Sequence, residues 1–404
     1  MGDTAIEWTD KTWNPTVGCS KVGNDPACAN CYAIPQAHRI QLMGGKGGQA
    51  YEGTTVEKEI RRPGSLEVIG EELDWSGRVN ELPDRLQVAD WKDPKLVFVN
   101  SMSDLFHGSV SREFVAEVFK VMASRPRHVF QILTKRPTRM AALMADTEFI
   151  EMVGAEVWPL PNVWLGTSIG SDAFAERADV LRAIDWPTRF LSLEPLVAPV
   201  ESLDYSGIHW VIVGGESITR GGEDAMRRIR PMHPEWVREI RDAVDAHNYE
   251  WAHGQCPYYR HQKLGHPLDA PGMEGGYGPG TCSMGCVEEP GCVTGQWGDY
   301  PEHSVALLFK QWGNWEPLGN LQDWLDNGGS GSEPGILIAN RNGRNRRGTA
   351  DGSLSNHLGY FTGESGDDEW VFKWRPGKFH GRELDDFVHD AYPDQLIEHM
   401  EAHR

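Results

Sequence analysis

Short apolar runs that each close on polar, chemically capable residues set the strongest constraint on what this chain can fold into. They are KLVFVNSMSD (95–104), HVFQILTKRP (128–137), NVWLGTSI (162–169), TRFLSLEPL (188–196), IHWVIVGGES (208–217) and VALLFKQWG (305–313). Each has strand length and is rich in Val, Ile, Leu and Phe without strict alternation, which is how strands covered on both faces read. Helical spacings separate them. Ser111 is placed to cap a helix carrying Phe114, Val115, Val118, Phe119 and Met122 on one face. Asp172 is expected to open a second, with Phe174, Ala178 and Leu181, and Pro234 a third, with Trp236, Val237, Ile240 and Val244. The runs end near residues 104, 135, 167, 194 and 215, at intervals of 31, 32, 27 and 21 residues, which fit strand–helix units. The expected fold class is α/β with a parallel sheet, either a barrel or an open doubly wound sheet. An earlier strand is expected within AIEWTDKTWNP (5–15).

The polar ends supply candidate site residues: Asn100, Ser101, Ser103 and Asp104; Thr134, Lys135 and Arg136; Thr167 and Ser168; Ser192 and Glu194; Gly214, Gly215 and Glu216; and Lys310. Strand–helix architectures build their sites at the carboxyl edge of the sheet, so successive polar ends predict one shared active face. Lys135 and Arg136 suit a carboxylate or phosphate, or a salt bridge across the mouth. Lys310 and Trp312 are expected to close that face, and His233 to cap a helix rather than bind a ligand.

Directly after the first expected strand comes GCSKVGNDPACANCYA (18–33), with Cys19, Cys28, Cys31 and then Tyr32. A structural zinc site wants four ligands, and an iron–sulfur cube has four corners normally filled by four thiolates. Three thiolates leave one iron open to a substrate or cofactor. A second group, Cys256, Cys282, Cys286 and Cys292, with His253 and His261 nearby, supplies four thiols. Four thiols close a site, so zinc, an auxiliary iron–sulfur cluster or free thiols all fit there. A Gly/Pro-rich stretch without a strong core needs such a staple to fold.

Composition narrows the partners. Lys plus Arg is 39 against 59 Asp plus Glu, a net charge of −20, which repels polyanions and argues against a DNA-coating protein. The one compact basic run is RNGRNRRG (341–348), with Arg344, Arg346 and Arg347; it reads as a solvated loop or a phosphate contact. No apolar run approaches the roughly 18 residues that span a bilayer, and MGDTAIEWTDK carries no signal-like pattern. A cytoplasmic location is therefore expected. In a reducing compartment the 7 cysteines point to metal or reactive thiols rather than disulfides.

The three-Cys loop resembles that of radical S-adenosylmethionine (SAM) enzymes, sharing its final C-x2-C spacing and its place after strand one. It departs in its first spacing and in placing Tyr32 after the third cysteine. Gly214-Gly215-Glu216 resembles the stretch that binds the SAM amino group in those enzymes. Longer runs also match in order: IEWTDKTWNPTVGC, VFVNSMSDLFH, ILTKRP, VWLGTS, SLEPL, VIVGGES, RPMHPEWVR and FKQWG. On these the chain resembles the phage protein family named after mycobacteriophage gene products thirty-seven and sixty-eight, regarded as radical-SAM-like. The resemblance implies a phage origin and a partial (β/α) barrel of radical SAM type. It implies a 4Fe-4S cluster on Cys19, Cys28 and Cys31, and SAM held by Asn100, Ser101, Ser103, Asp104, Thr134, Thr167, Ser168, Ser192, Gly214, Gly215 and Glu216. Tyr32, Lys135, Arg136 and Glu194 complete the implied catalytic set.

The expected domains are a barrel over 1–250 plus 305–320, a Cys-rich insert over 251–304 and a docked C-terminal extension over 321–404. The expected function is a 5′-deoxyadenosyl-radical enzyme that modifies or rearranges a nucleobase, with thymidine hypermodification in phage DNA as the concrete case. Its partners would be SAM, a nucleotide or DNA base, and an electron donor, with no membrane. The alternative is a nucleic-acid-processing or repair protein whose iron–sulfur or zinc site is structural.

Overall fold

The structure is a computed structural model. It describes residues 2–4, 6–62, 65, 67–88, 91–217, 228–254, 305–311, 313–320, 323, 326–327, 336–340, 345–347, 369–379, 383–384, 387–388, 391–393, 399–400 and 402. The amino-terminal part runs β1 (Gly2–Asp3), β2 (Lys11–Trp13), β3 (Thr16–Val17), α1 (Ala33–Met43), α2 (Gly45–Ala50), β4 (Thr55–Arg61), β5 (Val68–Trp75) and β6 (Asn80–Glu81). The apolar runs follow as β7 (Leu96–Val99), α3 (Arg112–Ala123), β8 (Val129–Thr134), α4 (Pro137–Met144), α5 (Thr147–Val153), β9 (Val163–Ser168), α6 (Glu176–Arg182), β10 (Arg189–Leu193), β11 (Trp210–Gly214), α7 (Pro234–Gly254) and β12 (Ala306–Gln311).

These strands form a mixed α/β sheet in the order β1-β2-β7-β8-β9-β10-β11-β12. The seven strands from β2 onward are parallel, and β1 is antiparallel to β2. Trp8 shows that the sheet curls. Its ring centroid lies 4.7 Å from Phe98 on β7 and 6.2 Å from Trp210 on β11. Four strand steps in a flat sheet would separate those strands by about 19 Å. One indole touches both because the seven parallel strands bend into a half-barrel around it, which decides between the two architectures that the strand–helix rhythm leaves open.

Alternation along each strand builds two cores. Val97, Val99, Phe130, Ile132, Val163, Leu165, Leu191, Val211 and Phe309 face the helices. Phe98, Val129, Trp164, Phe190, Trp210, Ile212 and Leu308 fill the concave side with Trp8. Burying each of the large side chains contributes about 1.5–3 kcal/mol. The inner packing depends on Gly166, where an added Cβ would lie 2.4 Å from the Phe190 ring. Gly166→Ala is therefore expected to destabilise the fold by about 1–3 kcal/mol through overpacking, and Gly166→Ala/Phe190→Leu to recover much of that loss, both read by urea unfolding.

Helix α3 forms as its pattern predicts. Ser111 Oγ accepts from Phe114 N at 3.2 Å, and Phe114, Val115, Val118, Phe119 and Met122 are buried. Helix α7 begins at Pro234, with His233 Nδ1 accepting from Glu235 N at 3.2 Å, so His233 caps. Asp172 does not open the second helix. Its carboxylate accepts from Glu201 N and Ser202 N, which leaves a 3-10 turn (Asp172–Phe174) before α6. Within 5–15, the strand is confined to Lys11–Trp13.

The barrel ends earlier than expected. Strand β13 (Gly313–Asn320) pairs antiparallel with β16 (Glu369–Phe379), in a separate sheet with β14 (Ile336–Asn340) and β15 (Asn345–Arg347). Short strands β17 (Glu383–Leu384) and β18 (Phe387–Val388) pair beyond it. Residues 391–392 pack against β11: Trp210 Nε1 donates to Ala391 O at 3.0 Å, and the Tyr392 ring lies 5.3 Å from that of Trp210. The first residues of the expected Cys-rich insert, 251–254, continue α7; the rest of it, with Cys256, Cys282, Cys286, Cys292 and His261, lies outside the described residues, as do Trp312 and Arg344. No helix among the described residues is long and apolar enough to cross a membrane.

Candidate functional site

The three-Cys loop crosses the carboxyl edge of the half-barrel and is tied down along its length. It starts at Gly18, whose φ is +91° and whose Cβ would stand 2.3 Å from Arg78 O, so no side chain fits there. Gly18 bridges to Ser103, and its N–H donates to Met102 O at 3.2 Å. Midway, Asp25 accepts from Ala27 N at 2.8 Å and from Arg177 Nη1 at 2.7 Å, with both side chains almost fully buried. Arg177 Nη1 also donates to Ser168 O at 2.8 Å and so carries the loop onto the end of β9. Farther along, Arg230 Nη2 donates to Pro26 O at 2.8 Å and pairs with Glu216. Asn30 Nδ2 donates to Glu216 Oε2 at 3.1 Å. Beyond Cys31, Tyr32 is exposed and its hydroxyl donates to Ser101 O at 2.7 Å.

Cys19, Cys28 and Cys31 are free, partly buried thiols. Cys19 and Cys31 pack against the apolar cluster that includes Val17, Ile34, Tyr51, Trp75 and Met102. Burial pushes the Cys19 thiol up to about 12, with Asp104 adding to the rise and Arg136 opposing it. Burial likewise raises Cys31, while Lys135 opposes. These two thiols are therefore protonated at neutral pH without a metal, and metal binding must displace their protons.

Beside Cys19 lies a network centred on Asp104 and Arg136. Asp104 accepts from Thr134 Oγ1 at 2.7 Å, Phe106 N at 2.9 Å, Lys135 N at 3.2 Å and Arg136 Nη1 at 2.8 Å. Arg136 Nη2 donates to Ser20 O and Ser20 Oγ at 2.9 and 3.0 Å, and Nη1 reaches Cys19 Sγ at 3.8 Å. His107 Nδ1 accepts from Ser109 N at 3.1 Å, which leaves Nε2–H to donate to Ser20 Oγ at 2.8 Å. Ser20 thus accepts from both neighbours and is not an activated nucleophile. Burial lowers His107 below its ordinary 6.5, helped by Arg136. The unfolded chain binds that proton first as pH falls, so the stability His107 contributes is present above about 6.5 and is lost at lower pH. Urea unfolding should show lower stability at pH 5 than at pH 7, with a smaller difference in His107→Gln.

On the other side of the mouth, Lys310 pairs with Glu194, to which Gln311 Nε2 also donates at 3.4 Å. Lys135 Nζ donates to Ser168 Oγ at 2.9 Å and has no carboxylate partner among the described residues. Asn100, at the end of β7, has a φ of +67° and is buried. Its Nδ2 donates to Thr16 Oγ1 at 2.9 Å, while its Oδ1 is a buried acceptor without a partner among the described residues.

The structure brings most predicted residues to one edge but changes their roles. Asp104, Thr134 and Glu216 are taken up by the protein's own donors and hold other residues in place. Thr167 Oγ1 is buried and donates to Thr134 O at 2.9 Å, on the side of β9 that faces the helices. Ser101 Oγ is engaged with the Asn14 side chain, and Ser103 Oγ with Thr16. Gly215 N donates to Gln311 O at 2.9 Å, and Gly214 leaves room for Glu194, whose Cδ would lie 3.0 Å from an added Cβ. Asn100, Lys135, Ser168 and Ser192 remain as inner-edge polar residues.

The sequence reading missed Asp25, Asn30, Arg177 and Arg230. Arg177 had a visible signal. It shares the apolar spacing of Phe174, Ala178 and Leu181, and a charge on that stripe must be paired inside.

The donor set has a definite character. Among the described residues no three His, Cys, Asp or Glu side chains stand close enough together to hold one metal ion. Three free thiols on one loop, with Cys31 in electrostatic reach of both Cys19 and Cys28, are the donor type that an iron–sulfur cluster takes. The orphaned Asn100 Oδ1 leaves an acceptor for a ligand at the same edge.

A family described as "Protein of unknown function (DUF5131)" matches residues 3–275. The chain belongs to that family. The matched span carries the three-Cys loop and strands β2 to β11, whereas β12 and the C-terminal sheet lie beyond it. No curated protein and no solved structure matches.

Proposed function

We propose that this chain is a radical SAM iron–sulfur enzyme of phage origin, akin to the family named after gene products thirty-seven and sixty-eight, that modifies or rearranges a nucleobase. The observation that carries the reading is the trio of free thiols on a loop pinned across the carboxyl edge of a parallel half-barrel. When bound, a three-thiolate cluster and SAM supply reductive cleavage of the sulfonium and a hydrogen-abstracting radical.

The chain's own residues do the rest. Gly18, Asp25, Asn30, Arg177, Glu216 and Arg230 fix the loop, so that Cys19, Cys28 and Cys31 are presented without rearrangement. Arg136, locked by Asp104, sits against Cys19. Lys135 brings to the mouth an ammonium with no acidic counterpart among the described residues, suited to the carboxylate of an amino acid or the phosphate of a nucleotide. Asn100 Oδ1 offers a buried acceptor to a donor on the ligand. The aromatic floor of Trp8, Phe98, Trp164, Phe190 and Trp210 keeps water from the barrel interior.

The test is anaerobic reconstitution with iron and sulfide, followed by SAM and dithionite. Release of 5′-deoxyadenosine and methionine is the expected result. A cluster that forms but never cleaves SAM would favour the alternative, a structural cluster in a nucleic-acid-processing protein. Nucleoside mass spectrometry of phage DNA with and without the gene then identifies the base.

A further inference from the structure

We infer that Arg136, oriented by Asp104, sets the reduction potential of an iron–sulfur cluster carried on Cys19 by donating an N–H hydrogen bond to that ligand sulfur. The inference rests on the cluster reading of the three thiols. Its geometry is independent of that reading. The Arg136 fork is fixed at one end, where Nη2 donates to both Ser20 O and Ser20 Oγ. The other end, Nη1, lies between Asp104 Oδ2 at 2.8 Å and Cys19 Sγ at 3.8 Å. The side chain is largely buried, as is its carboxylate partner, so solvent screens neither contact well.

What happens at the sulfur when it ligates a metal decides the role. As a thiol, Cys19 Sγ donates its proton to Ser20 O at 3.4 Å. A ligating thiolate has no proton, and that contact can no longer be a hydrogen bond. The Arg136 N–H is then the donor among the described contacts that faces the new charge. Hydrogen bonds to ligand sulfurs stabilise the more negative, reduced state of a cluster and raise its potential. Asp104 works in the opposite sense: it orients the guanidinium and offsets its charge. Arg136 is accordingly a positioning and tuning residue that acts through Cys19.

The pair therefore makes a sign prediction that a merely structural role does not. Reconstituted full-length protein without SAM is titrated potentiometrically, with the reduced cluster followed by electron paramagnetic resonance. Arg136→Gln is expected to lower the potential by on the order of tenfold in the one-electron equilibrium, about 59 mV. Asp104→Asn, which leaves the Arg136 charge less compensated, is expected to raise it. Arg136→Lys restores charge without the planar fork and should fall between wild type and Arg136→Gln. Wild-type potentials in all three variants, or shifts of one sign in Arg136→Gln and Asp104→Asn, would overturn the inference and leave the cluster reading standing. If Arg136→Gln does not fold or load, the opposite signs expected of Arg136→Lys and Asp104→Asn decide the matter. A wild-type protein that assembles no cluster overturns the reading and the inference together.

Discussion

Asp25→Ala is expected to destabilise the protein by about 3–5 kcal/mol, the usual consequence of leaving one member of a buried ion pair without its counter-charge. The Asp25 side chain is fully buried and that of Arg177 is 6% exposed. Arg177 cannot relax toward water without giving up its bond to Ser168 O and its place over the Phe174 ring, 4.3 Å from the centroid. Asp25 also accepts from Ala27 N, so the same substitution uncaps the turn before Cys28. Chemical unfolding of the metal-free protein reads the stability change. The double variant Asp25→Leu/Arg177→Met should be closer to wild type than Asp25→Ala, because it removes both charges and keeps the volume. If Asp25→Ala unfolds within about 0.5 kcal/mol of wild type, in the range of ordinary surface substitutions, the pair does not anchor the loop.

The second large effect is on cluster assembly. Cys19→Ala, Cys28→Ala and Cys31→Ala are each expected to lower 5′-deoxyadenosine formation by more than about 100-fold, beyond the 10–100-fold typical of changes to outer-shell partners. Each variant should also lose the iron-dependent absorbance of the reconstituted protein. Since the thiols sit on a loop held by ion pairs and backbone bonds, the fold itself should survive, with far-ultraviolet circular dichroism unchanged. Substituting Cys256, Cys282, Cys286 or Cys292 should leave SAM cleavage within that 100-fold bound. Equal loss from both groups would mean that the second group is also required for SAM cleavage.

The parts of the fold that were legible in sequence are those in which one physical rule dominates. Strands β7 to β12 are buried on both faces, so they are short and largely apolar, and most turn polar where the chain reaches the carboxyl edge. Helix α3 was legible because Ser111 and its apolar stripe agree. The curl of the sheet was not, because it depends on Trp8 reaching across strands far apart in sequence. Strands β4 and β5 escaped notice because Val56, Ile60, Val68 and Ile69 are exposed, and the hairpin carries no buried alternating face to read.

The site divides in the same way. Its thiols and polar strand ends can be recognised by residue type and position alone. The residues that hold them, Asp25 with Arg177 and Glu216 with Arg230, are 152 and 14 positions apart, and only tertiary structure pairs them. Glu216 looked like a cofactor contact because of the two glycines before it, but Arg230 and Asn30 occupy it. Thr167 stands one residue before the end of β9, and its parity there turns it toward the helices. A strand end supplies a candidate; the alternation of side chains decides which face receives it.

The proposed function requires that the N-terminal trio hold a cluster with one iron left open to SAM. The most direct measurement is electron paramagnetic resonance of the anaerobically reconstituted, dithionite-reduced protein before and after SAM is added. A cluster signal that changes on adding SAM and is lost in Cys31→Ala is expected. A protein with no cluster signal, or one whose signal is indifferent to SAM, would contradict it.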